Sequence, residues 1–332
     1  MHSINRRRAL KTLFCSSAAL ALNLYPRRAQ AEITKDALHF LAIGDFGTGA
    51  VNQTAVSKGM QEFVAKNAIK PEGLLLIGDN FYGPTKDGGL TVDSKRWQTG
   101  FEDMYPKSTF PGPCWAVLGN HDYHDNAGGE QVQLAYAQKL GGRWTMPAKW
   151  YRVDLGGPKP LVTLICLDTN FPTVSGGRDK KTGLPKNHMS AAEEQEQLAW
   201  FKAELAKPRA PFTIVMAHHP IYSNGDHGDT KPLAQWDDLL QQHQVHAYLC
   251  GHDHDMQHLE LEGRFTSHIL SGGGGARVRK LESERKMPYG KDVNGFTHLA
   301  VQPDGLTFTH HGVDGGVLHK FTKRLDGKVE IA

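Results

Sequence analysis

Several short stretches of this 332-residue chain place metal-binding side chains directly after apolar runs. They are Gly44-Asp45-Phe46-Gly47, Gly78-Asp79-Asn80-Phe81-Tyr82, Gly119-Asn120-His121-Asp122, Ala217-His218-His219-Pro220 and Gly251-His252-Asp253-His254. Taken singly, each has an ordinary structural explanation. A carboxylate after a strand is a common turn or cap residue, His121 suits any polar loop, and His218 and His219 are ambiguous. His252 and His254 say more, because residues two apart on an extended chain share a face. The set decides the matter. Every cluster is flanked by glycine or proline, where the backbone turns tightly, and five coincidental caps of these types are improbable. Oxygen and imidazole donors without a thiolate suit iron, zinc or manganese. A carboxylate can bridge two such ions, and two ions roughly 3.5–4 Å apart clamp the attacking and leaving oxygens of a phosphoryl displacement.

The apolar runs that precede these clusters, at 38–43, 74–77, 115–118, 212–217 and 245–250, are short and bounded by glycine and turn residues. That pattern predicts buried strands, and 161–167, ending at Asp168, predicts another. Between them, helical periodicity appears at 54–66, at 191–206 with Ser190 as its cap, and at 233–243. Alternating strands and helices predict a largely parallel sheet covered by helices, with ligands beyond the carboxyl ends of its strands. After residue 263 the pattern changes to strands with few helices (267–270, 297–301, 306–311, 317–322), which predicts a second, antiparallel sheet. The expected fold is therefore α/β, two packed β-sheets flanked by helices in a single domain spanning 32–332.

Together these five ordered motifs resemble the calcineurin-like metallophosphoesterase superfamily, over residues 37 to about 320. Tyr82, three residues after Asp79, narrows the resemblance to purple acid phosphatases of the small tartrate-resistant type. The resemblance implies a four-layer αββα sandwich of two mixed sheets and a binuclear centre hydrolysing phosphate monoesters by attack of a metal-bound hydroxide. It implies that Asp45, Asp79, Tyr82 and His254 hold a ferric ion. Asp79 would bridge to a second ion, Fe(II), Zn or Mn, held also by Asn120, His218 and His252. His121, and His227 nine residues after His218, would be the catalytic histidines that contact substrate and help protonate the leaving group. His219 stands where the family commonly has tyrosine, which leaves its role open.

Elementary chemistry agrees with that division. A phenol titrates near pH 10, and a strong Lewis acid such as a trivalent ion is needed to hold it as phenolate in mildly acidic solution. A protonated histidine beside the leaving oxygen assists its departure. A phosphodiesterase of the same superfamily, and a metal-binding or redox protein with weak hydrolysis, remain alternatives. There is no Gly-x-Ser-x-Gly elbow and no Cys-x5-Arg loop. Among the other polar positions, Asp168 is expected to be structural, and Asp122 and Asp253 either orient histidines or occupy plain loops. The glycine tract 272–275 is expected to let a loop pass close to the metals, with phosphate cradling as the alternative. His310 and His311 are expected at the surface.

At the N-terminus, 1–31 carries six basic residues (Arg6, Arg7, Arg8, Lys11, Arg27, Arg28) and no acid, then an apolar run at 13–24 and small residues at Ala29 and Ala31. This predicts a bacterial export signal. It resembles a twin-arginine signal with Ala9 at the usual aromatic position, an ordinary secretory signal being the alternative. The expected location is periplasmic or secreted. Removing the segment turns a formal net charge of +3 into 32 basic against 35 acidic residues. That balance points away from nucleic-acid or membrane partners. The expected partners are a small phosphorylated substrate and, for the precursor, the twin-arginine machinery. Three of the four cysteines, Cys114, Cys166 and Cys250, follow the signal; an odd number beside apolar runs predicts buried thiols.

Overall fold

The computed structural model describes residues 33–34, 36–83, 90–180, 183–282 and 285–332; the segment 1–31, expected to be an export signal, lies outside them. Among the described residues fifteen strands form in chain order. The first eight are β1 (Leu38–Ile43), β2 (Gly73–Leu76), β3 (Cys114–Ala116), β4 (Trp144–Thr145), β5 (Tyr151–Leu155), β6 (Val162–Cys166), β7 (Phe212–Met216) and β8 (Ala247–Cys250). The rest are β9 (Met256–Leu259), β10 (Ser267–Ser271), β11 (Tyr289–Lys291), β12 (Gly295–Gln302), β13 (Gly305–Gly312), β14 (Val317–Arg324) and β15 (Val329–Ile331). β2, β3, β6, β7, β8 and β10 are buried along their whole length. Layers on both faces produce such unbroken burial.

Both sheets are mixed. One runs β15-β14-β13-β12-β1-β2-β3-β4, the other β11-β9-β10-β8-β7-β6-β5. β1 to β4 are parallel neighbours, as are β6, β7, β8 and β10. The late strands do not make a sheet of their own, contrary to expectation. β12 pairs antiparallel with β1 and carries β13 to β15 onto the first sheet, while β10 joins the second. Strand periodicity reports which face a residue occupies, not which edge the strand joins. The sheets pack face to face, and hydrogen bonds cross between them. Ser271 Oγ donates to the Ala42 carbonyl (3.1 Å), and Thr297 Oγ1 lies 2.8 Å from Ser271 Oγ.

Helices complete the four layers. In chain order they are α1 (Val51–Asn67), α2 (Asn120–His124), α3 (Gly129–Ala137), α4 (Pro172–Ser175), α5 (Ala191–Ala206) and α6 (Ala234–Gln242). α1 covers the first sheet, with the Phe63 ring 4.5 Å from His311 and 5.6 Å from Phe296 between centroids. On the other side Trp236 of α6 packs on Phe201 of α5, and Asp237 reaches His268 on β10 at 3.7 Å. α5 begins where its sequence signature puts it. Ser190 Oγ accepts from the Glu193 amide and the Glu193 carboxylate accepts from the Ser190 amide, a reciprocal cap. The three described cysteines are free and buried, as expected. His310 and His311 are not at the surface. They are 1% and 3% exposed, because β13 is covered by the second sheet on one face and by α1 on the other. No helix among the described residues is long and apolar enough to cross a membrane.

Candidate metal centre

Each predicted ligand stands in the segment that follows the carboxyl end of a parallel strand: Asp45 after β1, Asp79 and Tyr82 after β2, Asn120 after β3, His218 after β7, His252 and His254 after β8. β1, β2 and β3 are neighbours in one sheet, and β7 and β8 in the other. Packing the sheets face to face therefore brings the two groups of strand ends together. The turns that do this are strained. Five described non-glycine residues have φ in the left-handed region. Two of them, Ala68 and Gln244, terminate helices. The other three are Asp45 (φ 58°), Asp79 (φ 52°) and His252 (φ 70°). Such backbone persists where its surroundings over-determine it. Glycines make room: a Cβ on Gly119 would sit 2.3 Å from Asp79 Oδ1, and one on Gly251 would sit 2.5 Å from Asp45 Oδ2.

The convergence is tight. Tyr82 Oη lies 2.8 Å from Asp79 Oδ2, 3.2 Å from Asp45 Oδ1 and 3.2 Å from His254 Nε2. His218 Nε2 lies 3.2 Å from Asn120 Oδ1 and 3.4 Å from Asp79 Oδ1. Asp79 thus turns one oxygen to each group. Asp45, Asp79 and His218 together, and separately His218, His219 and His252, hold their donor atoms close enough to share an ion. Backbone carbonyls fix two of the imidazoles: His218 Nδ1 donates to Ile77 (2.9 Å) and His254 Nδ1 to Arg277 (2.8 Å). In the neutral ring that a cation would bind, this leaves each Nε2 as the lone-pair nitrogen facing the cluster.

This donor set fits cations. The Tyr82 hydroxyl has one proton and three surrounding acceptors, so hydrogen bonding cannot satisfy the group. Burial, then the Asp79 and Asp45 carboxylates, push the phenol well above its ordinary range; a cation at that point reverses the sign. Burial would raise Asp79, but the charges of His218 and His121 hold it well below the ordinary carboxylate range. Burial would likewise lower His218, but Asp79 and then Asp45 hold it up at about 9. In the bare chain the imidazole supplies the positive charge that ions would bring.

The two expected catalytic histidines flank the cluster. His121 donates its amide to Asp79 Oδ1 (2.8 Å) and lays its ring against Tyr82, with centroids 4.4 Å apart. Its Nδ1 is 2.8 Å from Asp125 Oδ2. Burial works to lower its pKa, but the Asp79 charge and the Asp125 hydrogen bond outweigh it and hold the ring at about 8. His227 stacks on His252 at 4.3 Å, and its amide is held by Asp253 Oδ1 at 2.9 Å. Burial and the neighbouring Arg279 charge lower its pKa. The two rings are thus shifted in opposite directions, His121 up and His227 down.

The secondary polar positions also resolve. Asp122 does not orient a histidine; it accepts from the amides of Asn80 (3.1 Å), Phe81 (3.1 Å) and Gly119 (2.8 Å), tying the Asp79 turn to α2. Asp168 accepts from Tyr123 Oη at 2.6 Å, a structural role as expected. His219 packs between the His218 and His252 rings, with Nδ1 2.7 Å from Thr169 Oγ1. The glycine tract packs on the Asp45 turn through its backbone: Gly274 N donates to Gly44 O (3.0 Å) and Ala276 N to Asp45 O (2.8 Å), and Gly275 O accepts from Thr48 Oγ1 (3.4 Å). Three residues of the site were missed from sequence. Asp125 holds His121. Arg96 donates to the carbonyls of Tyr82 (2.6 Å), Gly83 (3.1 Å) and Gly47 (3.2 Å), fixing the tyrosine turn. Arg279 lies against His227. The signal for Asp125 was its i, i+4 spacing from His121, legible once 120–124 is known to be helical; nothing in the local pattern marks Arg96 or Arg279.

Residues 38–256 match the calcineurin-like phosphoesterase family. The chain belongs to that family. It is 31% identical over 299 residues to mouse (Mus musculus) tartrate-resistant acid phosphatase type 5, covering 85% of this chain and 89% of the relative. Among solved structures it resembles purple acid phosphatase from yellow lupin (Lupinus luteus) seeds, with TM-score 0.62, 17% identity, and coverage of 87% of this chain and 54% of that one. It also resembles GAP50, described as the anchor in the inner membrane complex of Plasmodium, with TM-score 0.68, 23% identity, and coverage of 86% and 87%. An acid phosphatase and an anchor share this fold, so function has to be argued from the site.

Proposed function

We propose that the protein is a binuclear-metal acid phosphatase that hydrolyses phosphate monoesters outside the cytoplasm. The observation that carries this reading is the Tyr82 hydroxyl, placed within 3.2 Å of Asp45, Asp79 and His254 at once. Asp45, Asp79, Tyr82 and His254 would hold Fe(III); Asp79, Asn120, His218 and His252 would hold Fe(II), Zn or Mn. Such ions supply Lewis acidity and lower the pKa of water. The chain's own groups do the rest. The carbonyls of Ile77 and Arg277 keep two imidazoles in the ligating tautomer. Asp125 keeps the His121 proton available for the leaving oxygen, and a charged acid beside an alkoxide contributes roughly 10²–10⁴-fold. His227, on the other flank of the cluster, would contact the substrate. The precursor would leave the cytoplasm folded and metal-loaded through the twin-arginine route, to a periplasmic or secreted location, and the partner of the mature chain would be a small phosphorylated molecule.

The test is Tyr82→Phe. Wild-type protein loaded with ferric iron is expected to show a visible phenolate-to-iron absorption and to cleave an aryl phosphate faster than its diester. The variant is expected to lose the absorption. A colourless loaded wild type, or colour that survives in Tyr82→Phe, overturns the assignment, and faster cleavage of the diester makes the protein a phosphodiesterase.

A further inference from the structure

Arg279 stands at the rim of the metal centre with nothing in the hydrolytic chemistry for it to do. Its backbone is fixed by the ligand loop itself: Arg279 N donates to His254 O (3.3 Å), and two residues earlier Arg277 O accepts from His254 Nδ1 (2.8 Å). The guanidinium is thereby laid against the outer histidine. Nη1 contacts His227 Nε2 and donates to the His252 carbonyl at 3.1 Å. A guanidinium can only donate, so this contact uses the His227 nitrogen as its acceptor and occupies Nη1 alone. The carboxylate of Asp226, half-exposed and 3.9 Å from Nε, is too distant for a hydrogen bond. Among the described residues, neither Nε nor Nη2 donates one. A half-buried guanidinium with donors to spare is a planar fork matched to phosphate oxygens.

Resting on the phosphatase reading, we propose that Arg279 is a specificity-determining residue. It binds a second phosphoryl group, carried on the leaving-group side of the substrate, and inorganic pyrophosphate is the simplest such substrate. The scissile phosphoryl group belongs at the ligand cluster. Since the His227 ring stacks on His252, the guanidinium lies one ring further out, where a second phosphate bonded to the first would extend. Binding it there places an anion beside the Nε and Nη2 donors that the protein leaves unused. The reaction is hydrolysis of the anhydride: water adds to one phosphorus, the bridging P–O bond breaks, and the departing phosphate takes the proton.

The experiment measures kcat/KM for pyrophosphate and for p-nitrophenyl phosphate on the metal-loaded enzyme, with Arg279→Ala, Arg279→Lys and, as a control for general surface charge, Lys280→Ala. A charge-assisted contact is worth a factor of about 10–100. The pyrophosphate-to-aryl ratio is therefore expected to fall about 10- to 100-fold in Arg279→Ala, chiefly through KM. Lysine keeps the charge and loses the fork, so Arg279→Lys is expected to recover part of the ratio, and Lys280→Ala to leave it where it was. A ratio within about twofold of wild type in Arg279→Ala, or an equal fall for both substrates, overturns the proposal, since the arginine then only supports His227 and His252. An enzyme that cleaves the aryl ester but has no Arg279-dependent ratio refutes this inference alone. Metal-loaded protein that cleaves neither substrate refutes the phosphatase reading beneath it.

Discussion

Asp125 shows how a residue outside the ligand set controls the chemistry. Its carboxylate holds His121 Nδ1 at 2.8 Å and also accepts from the Gly83 amide at 2.5 Å, so it is itself fixed. Of the two anions that raise His121, Asp79 is committed to the ligand cluster, and a cation bonded there would offset its charge. Asp125 then remains as the anion that keeps the ring protonated. The sign follows from the raised value: His121 is charged below about 8 and loses its proton as pH rises through that value. In Asp125→Asn the alkaline limb of kcat/KM is expected to move to lower pH, and kcat to fall about tenfold or more. Steady-state profiles of the two proteins check this; an unmoved limb would assign the limb to another group. At this scale the sequence was most informative about residues that end apolar runs, because strand burial and ligand position are set by the same local pattern. It was silent about Arg96 and Arg279, whose partners lie 14 and 52 residues away along the chain and meet them only after folding.

The elements that carry the ligands are short strands followed by turns with almost no tolerance. β3 ends at Ala116, and α2 starts at Asn120; between them Gly119 passes so close to the Asp79 turn that an added Cβ would lie 2.2 Å from the Asp79 amide nitrogen. Real Cβ atoms do not approach backbone that closely, so the turn has to open. Gly119→Ala is expected to cost about 1–3 kcal/mol of unfolding free energy. It is also expected to lower the metal content, because Asp79 and Asn120 move apart together. Calorimetry and metal analysis of the purified variant check the pair of effects, and full loading with wild-type stability would contradict the packing argument. The strands that lead to the site and the helices α1, α5 and α6 were legible to within about three residues, since each is a continuous apolar run or an amphipathic stretch; the short α2 that carries His121 was not. Partnerships were not. The sequence of β12 looks the same whether it begins a new sheet or extends β1, and only the open edge of β1 decides.

The whole molecule carries a liability that the site does not reveal. Of 18 histidines, two groups lie buried away from the ligands. His39 and His298 pair at 3.0 Å beneath α1, where His311 also packs on Phe63. His258 and His319 pair at 3.0 Å, with His310 beside His319. Burial first, and neighbouring histidines after it, hold His310 down at about 3 and His319 at about 4; burial does the same to His311, at about 4. An unfolded histidine titrates near 6.5. Between that value and the folded one, the unfolded chain binds more protons, so stability falls as pH falls. The contribution is whole above about pH 6.5 and drains away toward pH 3. For fully buried His310 alone the loss between pH 6.5 and 4.5 is on the order of 2–3 kcal/mol, a large share of a typical domain's stability. A protein proposed to work in acid thus has an acid-sensitive core, and ion binding to the folded state is the natural counterweight. Metal-free protein is expected to lose thermal stability steeply from pH 7 to pH 4.5. His310→Gln keeps partners for Thr297 and the Gln257 carbonyl, which His310 now meets at 2.9 and 3.2 Å, and cannot take up a proton. It is expected to lower Tm at pH 7 and to flatten the decline below pH 6.5. A slope unchanged by the substitution would mean that His310 does not titrate on unfolding and that the acid sensitivity resides in the ligand histidines instead.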